Sequence, residues 1–483
     1  TRNVSAVGRA LGDVYSVNTI GGVLGSVTAG FVLIPTLGVQ NGIMLIAGIN
    51  VIIGGVLILY EPLINNETRI KAVVGLGLLF LLFGTLYVTQ GPTTLTSYYE
   101  GIEGPEVLSY EEGIGGTVKV YQDKWGERVL SINGFPVAGT GFEPQDAQKA
   151  LAHLPLLLSN ATSPSVNIVG FGAGGTSWGV MQYDVKEVDC VELVPGVLNA
   201  AIWFPEINHD VLSEPQFNLI MGDGRNYALV TDKEYDVITI DATSPKMAGN
   251  GSLYTLEFYE LLERRLSAEG LLVQWVPLHL LSDREVRMIA KTFISVLPHT
   301  TLWFTPLRQY FILVGTRGEL KIDFESLSGK LEMTNVQRDL ELLKVTDPID
   351  VLGWFALGEE ALATYVGDAE LNTDNHPYLE FTPAMAYFES SRYRVENTLT
   401  VRDSRESVLP YLVNMGETDE EIAAVAERVQ KRFEATYHSI SGDMLDFVGM
   451  REQAIVEYNT ALQIDPQEKN WLHPIWRDVR PRR

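Results

Sequence analysis

The chain has 483 residues, with 36 Lys+Arg against 61 Asp+Glu and a formal net charge of −25. A surface this acidic repels phosphate, which excludes a nucleic-acid binder, and a single cysteine excludes a disulfide framework or a cysteine-rich zinc site. A mean hydropathy of +0.07 beside 20% charged residues means that the apolar residues are concentrated in a few stretches.

Those stretches come first. Val14–Leu37, Gly42–Tyr60 and Ala72–Val88 read as membrane spans, each near the ~20 apolar residues that cross ~30 Å of hydrocarbon. The first is rich in small residues (Gly21, Gly22, Gly25, Ser26, Ala29, Gly30), as in a helix that packs closely within a bundle. No signal-peptide pattern precedes it, and three spans read as the end of a larger bundle cut off at Thr1. Residues 1–90 are therefore expected to be membrane-embedded, in a multi-pass protein of the cell membrane. Arg2, Arg9, Arg69 and Lys71 would, by charge bias, put everything after Val88 outside.

Beyond the spans, Val107–Tyr110, Gly116–Tyr121, Arg128–Ile132 and Phe135–Val137 read as strands, with Asn133-Gly134 as a hairpin turn, giving a small β domain over 104–142. A helix over Pro144–Ser159 opens an alternating pattern that marks a parallel α/β sheet over 143–320. Its strands are Val166–Val169, Val188–Val191, Asn218–Met221, Asp236–Ile240, Leu271–Val276, Thr300–Phe304 and Tyr310–Val314, with helices at Leu256–Leu266 and Asp283–Val296. The tight connection through Pro306 makes the last two strands an antiparallel hairpin closing the sheet edge. A mixed extension over 321–415 contains Thr373-Asp374-Asn375-His376-Pro377-Tyr378-Leu379-Glu380-Phe381. The tail, 416–483, is helical. Its Gly442, Gly449, Ala454, Tyr458, Ala461 and Pro466 fall at tetratricopeptide spacing, which calls for further repeats or a protein partner to cover the apolar face.

The chemistry centres on Val169-Gly170-Phe171-Gly172-Ala173-Gly174-Gly175 after the first parallel strand. Gly170, Gly172 and Gly174 allow a sharp turn and a close ligand approach. Glu192 ends the next strand, about 20 residues on, where a carboxylate accepts both hydroxyls of a ribose. Asp223 and Gly224 end the third strand, placing an acid for an adenine amino group. Asp241-Ala242-Thr243-Ser244-Pro245 ends the fourth. Acids at successive strand ends suit a cationic sulfonium ligand and an amine better than a pyrophosphate. Gly175-Thr176-Ser177-Trp178-Gly179 imitates a hydrolase nucleophile motif, but Ser177 would lie inside the helix and not at the turn. The His residues show no metal spacing, and His153 and His279 read as packing or surface groups.

These motifs, from Tyr110 to Phe381, resemble the spermidine synthase family, and with the spans they resemble bacterial proteins that fuse a membrane domain to a spermidine synthase-like domain. The resemblance implies an S-adenosylmethionine-type Rossmann fold, mostly parallel with the antiparallel hairpin, preceded by a β domain and three transmembrane helices. It also implies decarboxylated S-adenosylmethionine as cosubstrate and a small amine such as putrescine, with no metal. Carried over, Gly170, Gly172, Gly174, Glu192, Asp223, Gly224 and Gln148 bind the cofactor; Asp241 is the base; Asp241 and Ser244 face the amine. The departures are Ala173 for a loop acid, Ser244 for the second acid of the D-S-S-D-P loop, Glu111 for a glutamine and Ala147 for a tyrosine. They leave two alternatives: a methyltransferase using S-adenosylmethionine itself, or a non-enzymatic sensor of polyamine or adenosyl ligand coupled to transport. Since adenosyl cofactors are made in the cytoplasm, the soluble part is expected there, against the charge bias. Homo-oligomerisation is left open.

Overall fold

The computed structural model describes residues 4–61, 65–90, 106–113, 115–241, 244–247, 249–382 and 386–470. Arg2, the linker 91–105, Ala242 and Thr243 of the predicted amine loop, and 471–483 of the tail lie outside the described residues. Contacts divide the chain into two units, residues 1–136 with 194–200, and residues 137–193 with 201–483.

In the first unit, helix α1 (Val4–Thr28) runs through a π-helical turn (Ala29–Leu33) into α2 (Ile34–Tyr60), followed by α3 (Asn66–Gln90). Three stretches, Leu11–Val39, Asn41–Tyr60 and Asn66–Thr85, are long and apolar enough to cross a membrane. The first ends just past a break at Gly38, whose φ of +79° is left-handed backbone that only glycine adopts without strain. This is where composition ends the first predicted span. Four strands, β1 (Glu106–Gly113), β2 (Gly116–Gln122), β3 (Arg128–Ile132) and β4 (Phe135–Gly139), form a sheet in chain order, with β1/β2 and β2/β3 antiparallel. Asn133 and Gly134 both have positive φ (53° and 85°), as a two-residue hairpin turn of matching twist requires. The Glu112 carboxylate of β1 accepts a hydrogen bond from the Val39 N–H at the helix break.

The second unit begins with α4 (Phe142–Leu158), almost entirely buried beyond its first turn. It is built on an eight-stranded sheet: β5 (Ser165–Val169), β6 (Glu187–Glu192), β7 (Phe217–Met221), β8 (Tyr235–Ile240), β9 (Leu266–Pro277), β10 (His299–Phe304), β11 (Tyr310–Thr316) and β13 (Phe355–Leu357), β12 being a two-residue strand, Ile322–Asp323, outside this sheet. The order is β13-β10-β11-β9-β8-β5-β6-β7. β9, β8, β5, β6 and β7 run parallel, and β11, β10 and β13 continue antiparallel. All seven strands read from the sequence are present. Two details differ. The β10–β11 hairpin lies one strand inside the edge, because Phe355–Leu357 of the extension adds outside β10. The helix expected to reach Leu266 ends at Glu263, because the chain turns at Arg265, whose N–H bonds the Leu262 carbonyl, and Leu266 enters the core as the first residue of β9.

The helices Leu256–Glu263 and Asp283–Ile294 cover the sheet with a core that includes Phe258, Leu262, Met288, Ile289 and Phe293. The second helix starts with a capping arrangement in which Glu285 Oε2 accepts the Ser282 N–H at 2.7 Å. The tail helices Asp419–Phe447 and Arg451–Ile464 form a hairpin in which Gly442, Ala454, Tyr458 and Ala461 meet; a Cβ on Gly442 would lie 2.8 Å from the Tyr458 ring. This hairpin covers its inner face within the same unit. Buried Arg432 donates to Asp350 (2.8 Å) and Asp465 (2.6 Å), while Arg308, in the β10–β11 turn, pairs with Asp443 and with Glu468 at 3.3 Å.

Candidate functional site

Parallel strand order decides what meets at the carboxyl edge, where α/β ligands bind. The strand ends are tied in succession: Asp241 N–H to the Val169 carbonyl, Gly170 N–H to Val191 and Gly222 N–H to Glu192, each at 2.9 Å. Asp241, the glycine loop, Glu192 and Asp223 therefore follow one another along one edge, in the order β8-β5-β6-β7.

The glycine loop adopts φ values of 103°, 55° and 84° at Gly170, Gly172 and Gly174, so three left-handed residues make the turn. Packing reinforces the choice: a Cβ on Gly174 would lie 2.6 Å from the Asn208 side chain, and one on Gly175 would lie 2.4 Å from Gln148 Oε1. Glu192 is buried, and one carboxylate oxygen accepts the Phe171 N–H at 2.9 Å, locking the loop to the end of β6. Gln148, on α4, is buried with its amide nitrogen 3.4 Å from the Cβ position of Gly172. Its Oε1 has no hydrogen-bond partner among the described residues. An orphaned buried acceptor beside a glycine loop fits a ligand that brings a donor.

Asp241 is an acid of altered chemistry on this edge. Burial of its carboxyl, reinforced by the nearby charge of Glu192 and opposed by a hydrogen bond from Thr176, raises its pKa to about 6. Thr176 Oγ1 lies 2.8 Å from Asp241 Oδ2 and 3.1 Å from the Gln148 carbonyl oxygen, so one hydroxyl bridges the fourth strand end and α4. Thr176 was visible in the sequence only as part of the hydrolase-like decoy; its position directly after the glycine loop was the available signal. Ser177 is fully buried inside the helix Gly175–Val180, against Cys190 Sγ at 3.9 Å, and cannot present a nucleophile at the turn.

The remaining residues sit as follows. Asp223 caps the helix Gly224–Val230, accepting the Asn226 N–H at 2.8 Å, and Gly224 lets that helix approach β5, since a Cβ would lie 2.6 Å from Val169. Ser244 is buried in the turn after Asp241, accepting the Lys246 N–H at 3.3 Å. Ala147 and Ala173 are both buried. Glu111, in the first unit, accepts from Asn199 at 2.9 Å. His153 is fully enclosed between Tyr183 (2.8 Å) and Asp339 (2.7 Å), and His279 lies against the Tyr310 ring. Among the described residues no group of three or more His, Cys, Asp or Glu is arranged to hold a metal ion.

This Rossmann-like sheet brings three acids, Asp241, Glu192 and Asp223, and the glycine loop to one carboxyl edge, where α/β domains bind ligands. Residues 145–316 match the spermine/spermidine synthase domain. Relatives include a polyamine aminopropyltransferase 1 of Streptomyces coelicolor, 25% identical over 54% of this chain and 50% of that protein. A polyamine aminopropyltransferase of Thermococcus kodakarensis is 28% identical over 43% of this chain and 76% of its own length. The match thus spans half the length of the Streptomyces relative. Among solved structures, a spermidine synthase in complex with the transition-state analogue AdoDATO is similar, at 20% identity and a TM-score of 0.46, over 54% of this chain and 88% of that one.

Proposed function

We propose that the chain is a membrane-attached aminopropyltransferase that uses decarboxylated S-adenosylmethionine as donor and a small amine such as putrescine as acceptor. The observation that carries the reading is the half-buried Asp241, held by Thr176 at the carboxyl edge of a spermine/spermidine synthase domain, with a pKa near 6. In this reading Glu192 and the glycine loop take the ribose, Asp223 and Gly224 the adenine, and Gln148 offers its Oε1 to the donor. Asp241, with Ser244 behind it, faces the amine.

The amine nitrogen attacks the methylene beside the sulfonium sulfur. A C–N bond forms, the C–S bond breaks, and its electron pair returns to sulfur, leaving a neutral thioether nucleoside. Asp241 takes the proton that the nitrogen sheds. A base of pKa near 6 is mostly ionised at neutral pH and needs no larger shift, since alignment of amine and sulfonium supplies much of the acceleration.

Ser244 and Ala147, where the family resemblance expects an acid and a tyrosine, favour a second reading, methyl transfer from S-adenosylmethionine to a different acceptor. Titrating the purified full chain with both donors in the presence of putrescine separates them. Aminopropylated product with the decarboxylated donor supports the proposal. Product only with S-adenosylmethionine favours methyl transfer, and binding without product from either leaves the sensor role.

A further inference from the structure

The segment around Thr373–Phe381 has no part in the chemistry above, yet it touches the turns that carry it. Asn372 is fully buried and stitches four segments together. Its Nδ2 donates to the Tyr254 carbonyl (3.0 Å), its carbonyl accepts the Leu256 N–H (2.9 Å), its N–H donates to Thr292 Oγ1 (2.9 Å), and its Oδ1 accepts from Leu379 (3.5 Å). Thr373 and His376 then close a tight turn, with the His376 N–H on the Thr373 carbonyl at 3.0 Å, and Pro377 ends it.

From that turn Asp374 grips Arg225 in a two-pronged pair, Nη1 donating to Oδ1 at 2.8 Å and Nη2 to Oδ2. The same Nη1 lies 3.2 Å from the Ser252 carbonyl and 3.2 Å from Thr255 Oγ1, and the Asp374 N–H donates to Glu257 at 2.9 Å. Partial burial pushes the Asp374 carboxyl up, but hydrogen bonds from Arg225 and Thr255 outweigh it and hold the group below its ordinary range. Arg225 follows Asp223-Gly224 directly, in the first turn of the helix that Asp223 caps. At the other end of the segment, Glu380 Oε1 accepts the Gly249 N–H at 2.9 Å, and a Cβ on Gly251 would lie 2.8 Å from the Glu380 carboxylate. Gly249 and Gly251 belong to the stretch that leaves Asp241 and Ser244.

We propose that Asn372–Glu380 is a clasp that positions the two acid-bearing turns of the site, Asp374 acting through Arg225 on Asp223, and Glu380 acting through Gly249 on the loop that follows Asp241. The roles of those two acids rest on the aminopropyltransferase reading; the clasp itself does not. The sheet fixes only the inner end of each turn, and turns left to themselves are mobile. Transfer chemistry needs its groups held to within about half an ångström. Asp374 and Glu380 are positioning residues that tie the outer ends of both turns to one rigid segment anchored by Asn372.

The test uses the full chain in detergent. In the ligand-free protein, Asp374→Asn should speed amide exchange about tenfold or more over 222–231, and Glu380→Gln should do so over 244–255, with β6 unchanged. With ligand, Asp374→Asn should weaken binding of decarboxylated S-adenosylmethionine about tenfold and leave kcat within about threefold. Glu380→Gln should raise the acceptor KM instead. Arg225→Gln combined with Asp374→Asn should cost no more than either alone. Should Asp374→Asn fail to fold, Thr255→Val, which removes one Arg225 contact, reads the same coupling. Unchanged exchange in both turns, or additive effects of Arg225→Gln and Asp374→Asn, would overturn the clasp. Wild-type protein that binds no adenosyl ligand would overturn the functional reading, and the exchange data alone would still decide the clasp.

Discussion

Asp241 and Asp146 are two carboxyls whose surroundings give them opposite kinds of work. Asp241→Asn should keep donor affinity and lower turnover by roughly 10²–10⁴, because Asn can still pair with Thr176 but cannot take the proton. In the wild type, kcat/KM should fall about tenfold per pH unit below about 6, as Asp241 is protonated; wild-type turnover in the Asn variant would remove Asp241 from the mechanism. Asp146, fully buried on α4, accepts the Leu307 N–H at 3.1 Å, and its Oδ2 is unpartnered among the described residues. Burial raises its pKa to about 7, against the opposing hydrogen bond from the Leu307 N–H. The folded protein therefore holds this proton between about pH 4 and pH 7, where the unfolded chain releases it. The stabilising contribution of the protonated group is complete below pH 4 and is lost as pH rises through 7. Asp146→Asn should accordingly be more stable than wild type at pH 8, by about 1–4 kcal/mol, with the gap closing toward pH 4. Urea midpoints across that range measure it.

At the scale of elements, the tail hairpin is held by charge as much as by apolar contact. Arg432 is buried among Asp350, Asp465 and Glu468, at 2.8, 2.6 and 3.1 Å. Removing one partner from a buried cluster leaves the others uncompensated, so Arg432→Ala should destabilise the second unit by about 3–5 kcal/mol. Trp354, buried and lining a small cavity together with Arg432, reports the change by fluorescence during denaturation. An unchanged midpoint would mean that water reaches and screens these charges. Gly442, Tyr458 and Ala461 stood out by their spacing, and they pack within this helical hairpin. What covers the hairpin was not readable, since Arg432 and Arg308 look like ordinary surface residues until folding brings Asp350 and Asp443 to them.

For the molecule as a whole, the proposed reaction makes sidedness a testable property. In a path with three crossings, two spans separate the turn at Gly38 from β1. The Glu112–Val39 hydrogen bond joins those same two points, as a common side requires. The cosubstrate of the proposed reaction calls for a cytoplasmic side, against the bias of four basic residues. Cys190 is buried, so a Cys190→Ser chain carrying Lys124→Cys on the exposed β2–β3 turn offers one reactive thiol. A membrane-impermeant maleimide should label it in opened cells and not in intact ones. Labelling of intact cells would place the domain outside and favour a binding role over transfer.

Local pattern was enough for everything that depends on neighbours along the chain. Apolar run length marked three helices long and apolar enough to cross a membrane, alternation marked the strands, and Asn133-Gly134 marked a hairpin. Gly170, Gly172 and Gly174 marked a turn that glycine alone makes comfortably. The order of acids at strand ends was readable because parallel α/β topology leaves few choices. Tertiary structure alone decided the partners. Thr176 meets Asp241 65 residues away, Asp374 meets Arg225 149 residues away, and Phe355–Leu357 adds to the sheet outside β10. Such pairings depend on how distant turns are brought together in space, and no periodicity within either segment encodes that.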